Sequence, residues 1–183
     1  MTDERLADGL LDAVARVPRG GGVVFRHHGL PTDERRALAQ AIARLCRRRG
    51  LTLVIADPPA GMRAVAVHLP TRVRRRPRNR PALVTAAAHD MQEAARAGRL
   101  GAQLLFVSPV FATASHPGAR TLGPLRFGLL VQRLRLPVIA LGGLDTGRYR
   151  RLKPLGADGF AAIGFFAREA RAVADQKASL PPT

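Results

Sequence analysis

Apolar positions along the chain follow two rhythms, a helical one and a short continuous one. Leu6, Leu10, Leu11, Val14 and Val17 recur at helical spacing and predict an amphipathic helix from Arg5 to Val17. Gly20 to Gly22 then break the chain. Val23 to Arg26 is a short apolar run that predicts a strand ending in Arg26, His27 and His28. Thr32 or Asp33 can cap a helix running to Arg49, with Leu38, Ala41, Ile42 and Leu45 as its buried stripe and Gly50 as its stop. Further strands are predicted to begin at Leu51, Val65, Ala82, Leu104, Val138 and Gly159. Helices are predicted over Met91–Arg99, over Leu125–Leu134, from an Asp145 cap to Gly156, and over Phe165–Ala174.

Strands alternating with helices at this rhythm call for parallel pairing through right-handed crossovers. Seven strands are read, and only Met1 to Glu4 precede the first helix. The expected fold is therefore α/β, a (β/α)8 TIM barrel whose first strand is reduced or missing, as one domain over 1–175 with a tail over 176–183. A doubly wound open sheet is the alternative, but no GxGxxG follows the first strand.

Composition narrows the function. The 183 residues are 46% hydrophobic, enough for one sizeable core, with no run long enough to cross a membrane. MTDERLADGL lacks an apolar signal core, so a cytoplasmic location is expected. Cys46, the lone cysteine, lies among apolar helical positions and reads as core filler. The net charge of +17 invites anionic partners. Six arginines between Arg72 and Arg80 form the most basic stretch, whose plain reading is a solvated loop. With no Trp and only Tyr149, stacking platforms for nucleic acid are scarce, which favours small anionic ligands over a nucleic acid; a homo-oligomer stays open.

In a β/α barrel the chemistry sits at the C-terminal ends of the strands, and phosphate commonly sits on the last two βα loops. Gly142 and Gly143 end the strand before the last, and Ile163 and Gly164 end the last one. Glycine lets the backbone approach an anion, and helix N-terminal amides supply donors. Thr113, Ser115 and His116 lie in a long loop after Leu104–Ser108 and could bind phosphoryl oxygens. Arg26, His28, His68 and His89 fall at or beyond strand ends, where each could be structural and where together they suit an anionic ligand. Asp57 is the one carboxylate placed for a metal, and no Asp or Glu occurs from Pro58 to His89.

These stretches resemble the thiamine phosphate synthase family, which also contains thiazole tautomerases. SPVFATASHPGA from Ser108 to Ala119, followed by Leu122 and Gly123, resembles the sixth-strand motif GPVFPTxTKPGA. PVIALGGL from Pro137 to Leu144 resembles PVVAIGGI, and GADGFAAIG from Gly156 to Gly164 resembles GADGVAVVS. MTDER resembles the end of the family's first strand, LYLVTDR, as a strand stub would.

The resemblance implies coupling of a thiazole phosphate to a pyrimidine diphosphate with loss of pyrophosphate. It implies a thiazole phosphate site at Thr113, Ala114, Ser115, Gly143, Ile163 and Gly164, and a pyrophosphate site at Arg26, His28 and His116. It also implies a magnesium ion at Asp57, although HLPTRV from His68 to Val73 lacks the family's second carboxylate, and His116 stands where the motif has lysine. His89 aligns with the acid/base histidine of the tautomerases. Three activities stay open on these residues: a synthase in which Arg26 and the 70–81 arginines take over part of the metal's role, a thiazole tautomerase using His89, and a non-catalytic binder of phosphate ligands or nucleic acid.

Overall fold

The computed structural model describes residues 1–71, 73, 75–77, 80–113 and 118–165. Among them seven strands form one sheet in chain order: β1 (Gly22–Phe25), β2 (Thr52–Ala56), β3 (Ala66–Leu69), β4 (Leu83–Ala88), β5 (Leu104–Val107), β6 (Val138–Leu141) and β7 (Gly159–Ala161). The helices are α1 (Leu10–Ala15), α2 (Thr32–Arg49), α3 (Met91–Arg99), α4 (Gly123–Val131) and α5 (Thr146–Leu152). The pairings from β2 to β7 are parallel. This is the sequential strand order of a β/α barrel. The chain divides into two compact units, residues 1–53, 59–62 and 163 onward, and residues 54–58 and 63–162.

In the first unit, Thr2 pairs with the end of β1. Its backbone N–H donates to the Val24 carbonyl at 2.8 Å, and its hydroxyl accepts the Arg26 N–H at 3.0 Å. The same hydroxyl lies 3.0 Å from His27 Nδ1, and Thr2 is 2% exposed. The predicted helix Arg5–Val17 is instead a 3-10 turn over Glu4–Gly9 followed by α1. Gly9 stands at the junction, where its poor helix propensity separates the two.

On α2 the deepest line is Arg35, Ala39, Ile42 and Cys46, with Leu38, Ala41 and Leu45 half-buried beside it. Arg35 is drawn into the core line because its guanidinium has partners there. Nε and Nη2 donate to the Arg26 carbonyl at 3.0 and 2.9 Å, and the cation lies 5.6 Å from the Phe25 ring centre. Neither Thr32 nor Asp33 caps α2: Pro31 holds that position, and its carbonyl accepts the Arg35 N–H at 2.8 Å. Gly50, left-handed at φ 64°, ends the helix as predicted. Cys46 is buried, and burial pushes its thiol pKa up.

His27 stacks on Phe25 at 5.1 Å, and its burial holds the imidazole pKa below the usual value, Glu4 and Asp3 opposing that effect. A histidine with a lowered folded pKa binds its proton more readily in the unfolded chain. Stability is therefore full above about pH 6.5 and is lost as pH falls below it, by about 1.4 kcal/mol for each pKa unit of lowering. His27→Gln is expected to flatten this slope in urea unfolding measured between pH 8 and pH 5; an unchanged slope would show that other groups set it.

In the second unit, alternate residues of β3, β4 and β5 face opposite sides. Val67, Leu69, Val84, Ala86, Ala88 and Leu105 pack with Ala94, Ala97 and Ala102 in one cluster. His68 pairs in register with Thr85 on the other side, and His68 Nδ1 lies 2.9 Å from Thr85 Oγ1. A second cluster gathers Val107, Val110, Phe127, Leu130, Val138 and Leu152 beneath the loops after β5 and β6. The connection over residues 57–65 holds no helix, as its length predicts. The closing helix predicted over Phe165–Ala174 and the tail over 176–183 lie outside the described residues, apart from Phe165.

Candidate phosphate-binding loops and the histidine beside them

The chain turns from β5 into a long connection, residues 108–122, before α4. Its first part is laid along the end of β6. The Val110 N–H donates to the Leu141 carbonyl at 2.9 Å and the Phe111 N–H to the Gly142 carbonyl at 3.1 Å. Below it, the N–H groups of Leu122 and Gly123 donate to the carbonyls of Pro109 and Val110 at 3.0 and 2.9 Å. The Ser108–Pro109 peptide is cis.

This close seating explains the glycine pair. Gly142 has φ 101°, and a Cβ there would lie 2.8 Å from Pro109 Cα. Gly143 has φ 61°, and a Cβ there would overlap the Ala112 carbonyl oxygen. Both positions need a residue without a side chain, for conformation and for space alike. Arg148, in the first turn of α5, ties the same two loops: Nη1 donates to the Gly143 carbonyl, and the guanidinium lies 5.1 Å from the Phe111 ring centre. Asp145 caps that helix as predicted, accepting the Arg148 N–H at 2.8 Å. Arg148 was not among the residues singled out from the sequence. The Asp-x-x-Arg spacing of a capped first turn is its only signal there.

Thr113 is half-buried on the loop that touches Gly142 and Gly143, so these three candidates belong to one constellation. Ala114, Ser115 and His116 lie outside the described residues. Ile163 and Gly164 follow β7 after Ala162 and are half-buried. Arg26 and His28 follow β1, half-buried and exposed respectively. His68 is 7% exposed within β3 and bonded to Thr85, so it is a satisfied interior group rather than an exposed rim base. Arg75, Arg76 and Arg80 are exposed, as a solvated loop requires.

His89 directly follows β4. Its backbone N–H donates to Glu93 Oε2 at 2.8 Å, and its Nδ1 lies 2.7 Å from the same oxygen. Asp90 caps α3 by accepting the Glu93 N–H at 2.8 Å. Glu93 is a second residue missed from the sequence, where a glutamate four places after a histidine reads as an ordinary helix-surface pair.

Asp57 is exposed at the end of β2 with φ 45°. Among the described residues no three His, Cys, Asp or Glu side chains come together to hold a metal ion. The described residues alone do not surround a magnesium ion. Among them, too, no helix is long and apolar enough to cross a membrane.

A β/α fold with tightly seated glycine loops after its later strands defines a class, the phosphate-handling enzymes of barrel type. The family described as thiamine monophosphate synthase matches residues 1–166, and the chain belongs to that family. Thiamine-phosphate synthase of Syntrophomonas wolfei is 30% identical over 89% of this chain and 84% of its own. That of Chlorobium luteolum is 32% identical over 89% and 81%. The solved thiamine phosphate pyrophosphorylase of Pyrococcus furiosus shares the fold, with a TM-score of 0.69 and 22% identity over 96% of this chain and 93% of that one. The chain is thus a thiamine phosphate synthase-like transferase of thiamine biosynthesis.

Proposed function

We propose that the chain joins a thiazole phosphate to a pyrimidine diphosphate, acting as one domain over 1–175. The observation that carries this reading is the seating of residues 109–112 against Gly142 and Gly143, which leaves two glycine backbones and Thr113 at one strand-end constellation. There the phosphate of the thiazole meets backbone amides and the Thr113 hydroxyl; the family resemblance adds Ser115, Ile163 and Gly164 as further donors. The carbon–oxygen bond to the diphosphate breaks with its electron pair on pyrophosphate, and the thiazole nitrogen supplies the pair for the new carbon–nitrogen bond. Arg26 supplies positive charge to the departing group, and His28 and His116 serve as hydrogen-bond donors to it. Catalysis on this reading is positioning plus charge neutralisation.

The test is to incubate the purified chain with both substrates, with and without magnesium, and to measure thiamine phosphate and pyrophosphate. Equimolar formation of the two supports the reading. Failure to form either under both conditions would overturn it, while calorimetric titration with the thiazole phosphate reports separately on the loop site.

A second reading, a thiazole tautomerase, is favoured by the His89–Glu93 contact, because proton transfer needs a held imidazole and no metal. His89→Ala is expected to lower tautomerisation by on the order of 10²-fold or more; unchanged turnover would sink this reading.

A further inference from the structure

The contact between His89 and Glu93 fixes more than a ring position. Oε2 of Glu93 meets both the backbone N–H and Nδ1 of His89, at 2.8 and 2.7 Å. Glu93 is itself held, since its N–H donates to the Asp90 carboxylate at 2.8 Å. Its side chain is 22% exposed, whereas that of His89 is 48% exposed. A carboxylate offers only acceptors, so the hydrogen in the Nδ1 contact belongs to the ring. A neutral imidazole carrying its proton on Nδ1 has its lone pair on Nε2. In water the opposite tautomer is the commoner one, so the protein must select this one.

We propose that Glu93 is a positioning residue that selects the Nδ1-protonated tautomer of His89 and makes Nε2 the proton-accepting atom at the end of β4. The tautomer assignment stands on the geometry alone; its use in chemistry rests on the tautomerase reading. In that use Nε2 takes a proton from one carbon of the bound ring, and the imidazolium so formed faces the Glu93 carboxylate. The same proton returns to a second carbon. Substrate and product are isomers, and no co-reactant is consumed.

The sequence alone does not reveal this arrangement, because a carboxylate four residues after a histidine normally marks a solvated helix pair. Here the histidine precedes the helix and the carboxylate reaches back over the Asp90 cap. The reach fixes both the backbone and the ring of one residue.

The full chain labelled with 15N settles the tautomer by long-range proton–nitrogen correlation at pH 8, the His89 signals being identified by their loss in His89→Ala. The Nδ1–H form should dominate in the unmodified chain. Glu93→Ala should convert it to the Nε2–H form, while Glu93→Gln, whose amide oxygen still accepts, should keep the Nδ1–H form. On the tautomerase reading, Glu93→Ala should lower kcat by ~10-fold or more with KM within about 2-fold, and Glu93→Gln should recover much of it. A tautomer population unmoved in a folded Glu93→Ala chain, with melting followed by circular dichroism, would overturn the proposal. A shifted tautomer in a chain without isomerase turnover supports the positioning role and overturns the tautomerase reading instead.

Discussion

Gly143→Ala is expected to weaken thiazole phosphate binding by roughly 100-fold or more, corresponding to about 3 kcal/mol. Two costs act together at this position. At φ 61° an alanine side chain is strained by about 1–2 kcal/mol whatever the space around it. Its methyl would also overlap the Ala112 carbonyl oxygen and come within 3.0 Å of Phe111 Cβ. The loop has little freedom to retreat, because Val110 and Phe111 are bonded to Leu141 and Gly142. Relief must come from separating the two loops, and their seating is the candidate phosphate site itself. Calorimetric titration with the thiazole phosphate measures the loss, and urea unfolding measures the accompanying strain. Gly147→Ala is the matched control. Its added methyl meets only Asp145 Oδ1, at 3.4 Å, inside α5, and it should be neutral or slightly stabilising. Wild-type affinity in Gly143→Ala would remove these loops from the site.

Much of this geometry is legible in the sequence. Strand starts read at Val138 and Gly159 hold to the residue, because continuous apolar runs stopped by glycine or aspartate leave few alternatives. Met91–Arg99 also holds, since Asp90 gives an unambiguous cap. The glycine pair was placed at the right strand end by topology alone. What stayed hidden depends on long side chains reaching across elements. Arg35 enters the buried line of α2 because it finds the Arg26 carbonyl and the Phe25 ring, partners that no helical period can foresee. His68 looked like a strand-end base until register set it opposite Thr85. Thr2 read as part of a bare stub, yet its hydroxyl joins the Arg26 amide and the His27 ring. In each case the residue type was informative and its partner lay 9 to 25 positions away.

Phe127→Ala is expected to be among the most damaging substitutions in the core beneath the loops. Phe127 is fully buried in α4, in the cluster that also contains Val107, Val110, Val138 and Leu152. Truncating a buried phenylalanine removes transfer free energy and leaves a cavity, at about 3–5 kcal/mol. Against a typical domain stability of about 5–15 kcal/mol, that is a large share of the total. The effect should reach the ligand as well. Val110 is itself 0% exposed, its N–H is bonded to Leu141 and its carbonyl accepts from Gly123 at the start of α4. A cavity under Val110 loosens the segment that leads to Thr113, so affinity for the thiazole phosphate should fall together with stability. Leu125→Ala, on the same helix but 76% exposed, should change stability by less than ~0.5 kcal/mol and leave binding intact. If Phe127→Ala lowers the urea midpoint as expected but leaves affinity at the wild-type value under native conditions, the loop is held by its backbone bonds to β6 alone. If both fall, the packing of α4 is part of what shapes the site.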